Sequence, residues 1–174
     1  MVSRVEPPVA RRRTVLKWCL FLGVLGIALA VDLVTKYVAE ARLPIGETRE
    51  ILPFLFLQRT ANDGVAFGLL GGSTTLIIVA NVVALLVVGS YVFFERRPFL
   101  AGIAGGAIVG GSLGNMIQRL TGDGHVTDFL KFPNWPNFNA ADVFIDAGLA
   151  AVVIGVVVEM VKLWRAKKNQ TASS

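Results

Sequence analysis

The chain has 174 residues, 54% hydrophobic and 17% charged, with a formal net charge of +5 and a mean hydropathy of +0.64. A soluble domain carries about 25% charged residues, and a chain this apolar is not a disordered one. The apolar residues lie in long runs, not in many short elements, which points to a bilayer, and the length fits one domain.

The chain opens on a basic tail, 1–13, with Arg4, Arg11, Arg12 and Arg13. A first apolar segment follows over 14–35, interrupted by Lys17 and Asp32, and a second over 74–94 carries no charge. A third over 99–118 is rich in glycine, and the last, 141–163, holds Asp142, Asp146 and Glu159. About 20 residues cross the hydrocarbon core, so the segments predict four transmembrane helices. Residues 167–174 are polar and predict a disordered tail.

Lys and Arg cluster in the N-terminal tail, at Arg96 and Arg97 between the second and third segments, and at Lys162, Arg165, Lys167 and Lys168. By the positive-inside rule both termini are cytoplasmic, and the connections 36–73 and 119–140 face outward. Topology thus accounts for the basic residues, and no nucleic-acid partner is expected. Cys19 is the single cysteine, and no Cys or His cluster has metal-ligand spacing; neither a metal nor another cofactor is expected. Ala28-Leu29-Ala30 offers a signal-peptide cleavage site as an alternative reading of the first span. In the first connection, Ile51 to Leu57 is too short to span and predicts one or two short strands or an interfacial segment. Asn62-Asp63-Gly64 is a turn signal. The glycines at 102, 105, 106, 110, 111 and 114 form a small-residue face that lets helices approach closely.

Polar residues gather at the outer ends of all four spans. Asp32, Thr35 and Lys36 close the first, while Asn62, Gly64, Ala66 and Phe67 precede the second. Asn115 and Arg119 end the third, and Asp128, Asn139 and Asp142 surround the start of the fourth. Ser112, Asn115 and Arg119 share one helix face. If the loop folds Asp128 back beside Asp142, the two carboxylates cannot both ionise readily and hold one proton between them. The ionised partner then activates water and the protonated one polarises a carbonyl. On spacing alone three other readings remain: Asp142 as a helix cap, Asp128 in an ion pair with Arg119 or Lys131, or acids along an ion pathway.

The segments Gly110-Gly111-Ser112-Leu113-Gly114-Asn115, Arg119, His125-Val126-Thr127-Asp128-Phe129 and Phe138-Asn139-Ala140-Ala141-Asp142 resemble the signature of bacterial lipoprotein signal peptidases, or signal peptidase II. Asp32-Leu33-Val34-Thr35-Lys36 and Asn62-Asp63-Gly64-Val65-Ala66-Phe67 resemble two further motifs, in the same order. The resemblance implies an all-α membrane protein of four transmembrane helices, with a small extracytoplasmic β cradle around 45–67 and both termini cytoplasmic. It implies an aspartyl endopeptidase of the cytoplasmic membrane that removes the signal peptide of diacylglyceryl-modified prolipoproteins, just before the lipidated cysteine. Asp128 and Asp142 would be the catalytic pair, and Asn62, Asn115, Arg119 and Asn139 would bind substrate. Asp32, Lys36, Gly64 and Phe67 would support them. Partners would be the prolipoprotein and membrane lipid, with the enzyme a monomer. The first-span motif would stay in the mature protein, against cleavage after Ala30. The family commonly has Asp where Gln118 stands, and Asp146 is an additional carboxylate.

Other chemistries fit less well. Ser112 and His125 are the only serine–histidine candidates, but Gly110-Gly111-Ser112-Leu113 lacks the glycine after serine that a rhomboid-type site has. Gly122-Asp123-Gly124 has the wrong order for a presenilin-type motif. A cation-coupled transporter would need acids across the bilayer, whereas these lie on one side.

Overall fold

The order of elements follows from where apolar runs stop. A computed structural model describes residues 8–64 and 73–172 of the chain. Helix α1 spans Pro8–Arg42, strands β1 and β2 span Thr48–Leu52 and Leu55–Asn62, and α2 spans Thr74–Phe94. A π-helical turn, Leu100–Ala104, leads into α3, Gly105–Thr121; strand β3 is Val126–Lys131, and α4 is Ala140–Ala172. Four helices are long and apolar enough to cross a membrane.

Two helices outrun the expected spans. α1 takes in the basic residues Arg11–Arg13 at one end and the polar turn Lys36–Arg42 at the other. It stops at Leu43 because the residue before Pro44 is disfavoured in helical geometry. α4 continues through Lys167 and Lys168 to Ala172, where composition predicted a disordered tail. Arg165, Ala166, Lys167 and Lys168 are good helix formers and prolong a helix already nucleated.

α3 is the central helix. In its apolar stretch 67% of residues are buried within the protein, against 11% or less in the other three. Its glycines make this burial possible. A Cβ on Gly106 would lie 2.6 Å from the Phe21 carbonyl oxygen, and one on Gly110 would lie 2.7 Å from that of Leu25. The backbones of α1 and α3 therefore meet almost directly, as small residues permit in lipid. On the other flank Gly111 packs against Ala141 and Ile145 of α4. Large side chains such as Leu22, Leu86, Val87, Ile154 and Met160 remain exposed on the outer faces, the lipid-facing surface of a bundle.

Lys17, a charge inside an apolar run, is accounted for by α2. Its Nζ donates to the carbonyls of Val92 at 2.8 Å, Phe93 at 3.1 Å and Glu95 at 3.2 Å. These are the orphan acceptors at the C-terminus of α2, where a cation is favoured. The neighbouring turn is tied by Arg97, whose guanidinium donates to both carboxylate oxygens of Glu95.

At the opposite end the three strands form one antiparallel sheet in the order β1-β2-β3. The first hairpin fits the expected short strands. β3 comes from the connection 119–140, for which no strand was expected, and pairs Asp128 with Thr60 and Val126 with Asn62. After β3 the chain doubles back, and Phe138 exchanges backbone hydrogen bonds with Leu130 at 2.8 and 2.9 Å. This return carries the start of α4 under the sheet. Phe129 packs with Ala39 and Leu43 of the α1 extension, flanked by Leu57, Leu130 and Ala140, so the sheet is seated on α1.

Candidate active site

Asn139 caps α4 and joins the two aspartates. Its side-chain oxygen accepts from the Asp142 N–H at 3.1 Å, and its own N–H donates to Asp142 Oδ2 at 3.0 Å. This reciprocal pair is a capping box with Asp in the third helical position. The Asn139 amide, free of the cap at its Nδ2, donates to Asp128 Oδ1 at 2.6 Å. One residue thus fixes both carboxylates, and Asp142 caps its helix while lining the same cavity as Asp128. The cap reading and the paired-carboxylate reading are compatible.

The remaining carboxylate oxygens are also held. Asn62, at the end of β2, donates from Nδ2 to Asp128 Oδ2 at 2.8 Å. Asn115, on α3, donates to Asp142 Oδ1 at 3.0 Å. Behind Asn115 stands Lys36, whose Nζ lies 2.6 Å from the Asn115 oxygen and 2.7 Å from Asp32 Oδ2. The second Asp32 oxygen accepts from the Ala141 N–H at 2.9 Å. Asp32 and Lys36 are fully buried; a buried pair is sustained only when such further hydrogen bonds satisfy it. Arg119 donates to the Gly64 carbonyl at 2.9 Å, and the Gly64 N–H donates to the Asn62 oxygen at 2.9 Å. Arg119 thereby supports Asn62 and not an aspartate.

Asp128 lies on β3, beyond the membrane helices, and is almost fully buried. Burial raises its pKa to about 6; the Asn62 amide opposes the shift, and the negative charge of Asp142 reinforces it. No ion pair reaches it among the described residues: Arg119 is engaged with Gly64, and Lys131 donates to Gln58 Oε1 at 2.6 Å. Two carboxyls held this way can share one proton.

Both aspartates line a cavity of about 750 Å³, together with Asn62, Gly64, Asn115, Arg119 and Asn139. Ile77, Ala80, Ala84 and Ile145 of the membrane helices add apolar lining, with Trp135 and Phe138 from the connection before α4. Asp146 also lines it. So the structure brings together Asp128, Asp142, Asn62, Gly64, Asn115, Arg119 and Asn139, with Asp32 and Lys36 directly behind. Phe67, with Val65 and Ala66, lies outside the described residues. Among those described, no hydrogen bond joins Ser112 to His125; His125 Nδ1 lies 3.0 Å from Asp123 Oδ1.

Several lining residues were not anticipated, and one of them is polar and inside a span. Asn81, midway along α2, borders the cavity with its side-chain oxygen buried and unpartnered. The available signal was an amide inside an otherwise apolar span, where polar groups are costly.

The family model described as signal peptidase (SPase) II matches residues 24–158. The chain is 34% identical over 143 residues to the lipoprotein signal peptidase of Halothermothrix orenii, covering 82% of this chain and 93% of that one. It is 36% identical over 142 residues to that of Mesorhizobium japonicum, covering 78% and 84%. Among solved structures, one bacterial membrane enzyme superposes with a TM-score of 0.75 at 25% identity, covering 80% of this chain and 88% of its own. A second gives 0.69 at 28% identity, covering 78% and 91%.

Proposed function

Since the chain belongs to the signal peptidase II family, a family of membrane proteases, we propose that it cleaves the signal peptide from diacylglyceryl-modified prolipoproteins, immediately before the lipidated cysteine, with Asp128 and Asp142 as the catalytic pair. The observation that carries this reading is the Asn139 bridge, which holds both carboxylates on one cavity that is also lined by Ile77, Ala80, Ala84 and Ile145 of the membrane helices.

The chemistry follows from one shared proton. A water between the aspartates gives a proton to the ionised carboxylate as its oxygen attacks the scissile carbonyl carbon. The protonated carboxyl donates to the carbonyl oxygen. Collapse of the tetrahedral intermediate breaks the C–N bond: the proton taken from water passes to the departing amine of the cysteine, and the hydroxyl on the former carbonyl oxygen returns its proton to the carboxylate that gave it, which restores the shared proton. Asn62 and Asn115 each hold one aspartate oxygen by a single amide hydrogen bond, which leaves lone pairs free for the water. Asn62, Asn115, Arg119 and Asn139 form the polar rim along which the substrate backbone lies. Diacylglycerol chains contribute about 0.8 kcal/mol for each methylene buried, along the lipid-facing side of the groove.

Both termini face the cytoplasm, from the basic residues at that end, and the sheet and catalytic pair lie at the outer face of the bacterial cytoplasmic membrane. The two aspartates supply both the acid and the base of this mechanism, so it is read as the work of a monomer without a cofactor. The test is a gel-shift assay with purified protein and a diacylglyceryl-modified prolipoprotein, beside an unlipidated control. Wild type should cut the lipidated substrate alone, and Asp128→Asn and Asp142→Asn should each lose about 100-fold or more. Full-rate cleavage by either variant overturns the assignment.

A further inference from the structure

Asp128 is placed by its strand, and the strand is tied to the bundle at the residue just before it. Thr127 donates its backbone N–H to Gln118 Oε1 at 2.8 Å. Gln118 Nε2 lies 3.0 Å from Thr127 Oγ1, so the carboxamide engages both the backbone and the side chain of this one residue. Both groups then converge on α1: the Thr127 hydroxyl donates to Glu40 Oε1 at 2.6 Å, and Gln118 Nε2 donates to the same oxygen at 2.6 Å. Gln118 is on α3, Glu40 on α1 and Thr127 on β3, so three elements meet at one carboxylate oxygen.

The charges explain why Gln serves here. A carboxylate in place of the Gln118 amide would repel Glu40 and would lack the N–H that Glu40 accepts. In this chain the carboxylate is supplied from α1 and the amide from α3. The neighbouring residue Arg119 supports Asn62 through Gly64. One turn of α3 thus reaches Asp128 by two routes: through Arg119 and Gly64 to its partner Asn62, and through Gln118 to the strand that carries it.

We propose that Gln118 and Glu40 act as a matched pair of positioning residues that set Asp128 against Asp142 by clamping Thr127. This rests on the reading of Asp128 as a catalytic residue. Neither residue touches substrate; a displacement of β3 moves Asp128 relative to Asn139, and a shift of about 1 Å in a reacting group can cost about 100-fold.

The test is a charge-swap cycle on the full-length enzyme: Gln118→Asp, Glu40→Gln and the double variant, each assayed with the lipidated prolipoprotein for kcat and KM. Gln118→Asp should lower kcat by about 10- to 100-fold with little change in KM. The double variant, which returns one carboxylate and one amide in exchanged places, should recover most of that loss. A wild-type kcat for Gln118→Asp, or a double variant no better than the product of the two single effects, overturns the proposal. If Gln118→Asp does not fold, as judged by thermal unfolding in detergent, Gln118→Met of similar length replaces it. An unchanged kcat there overturns the proposal equally. Asp128→Asn runs in the same assay: if it still cuts, the catalytic reading itself has failed. If it is inert while the Gln118 variants match wild type, only the clamp is wrong.

Discussion

The mechanism proposed for Asp128 needs a proton held near neutral pH, and burial supplies it by penalising the charge, raising the pKa to about 6 from 3.8. The sign of the stability effect follows. The native state keeps this proton up to about pH 6 and the unfolded chain loses it near 3.8, so the stabilisation is complete below pH 3.8 and is lost as pH rises through 6. The melting temperature in detergent should therefore fall as pH is raised from 4 to about 7, and Asp128→Asn should lack this part of the slope. Equal slopes in the two proteins would show that the carboxyl is not desolvated. Activity should show the same group: kcat/KM should decline above about pH 6 as the shared proton leaves. The two aspartates were legible in the sequence because charges at span ends demand an explanation. Asn81 was not, since one amide barely alters the hydropathy of its span, and its role depends on which way the helix turns.

Among the elements, α3 decides how closely the others approach. Replacing Gly110 by Val would drive a side chain into the Leu25 carbonyl and Ala28. That should separate α1 from α3, lower the melting temperature by an amount matching about 1–3 kcal/mol, and slow cleavage, because Lys36 of α1 must reach Asn115 of α3. Gly89 of α2 has nothing within 4 Å, so Gly89→Ala in the same thermal scan should leave stability within about 1 kcal/mol of wild type. If both substitutions behave alike, close packing is not what the α3 glycines supply. The four helices could be read from length and hydropathy alone, and the first hairpin from its aromatic run. β3 escaped because Val126–Lys131 has only six residues and pairs with a strand 64 to 75 positions earlier. Local pattern is silent about such pairing. The ends of α1 and α4 escaped for a different reason: hydropathy marks where lipid begins, whereas a helix stops only where the backbone is broken or capped.

For the molecule as a whole, orientation is the property that a charge count predicts and labelling can check. In a Cys19→Ser background, Glu47→Cys beside β1 should react with an impermeant maleimide on intact cells. Lys167→Cys near the end of α4 should react only after the membrane is opened. The reverse pattern would invert the topology and put the aspartates on the cytoplasmic side. One hydrogen bond described above, from the Ala141 N–H to Asp32, ties the first span to the last. Its consequence concerns biogenesis. Half of the proposed catalytic pair, the Asn139 bridge and the partner that completes Asp32 all arrive with the fourth span, after the other three helices have left the ribosome. A nascent chain that has not yet threaded its fourth span therefore holds Asp128 without Asp142, and on the proposed mechanism it cannot cut the signal peptides passing through the same membrane.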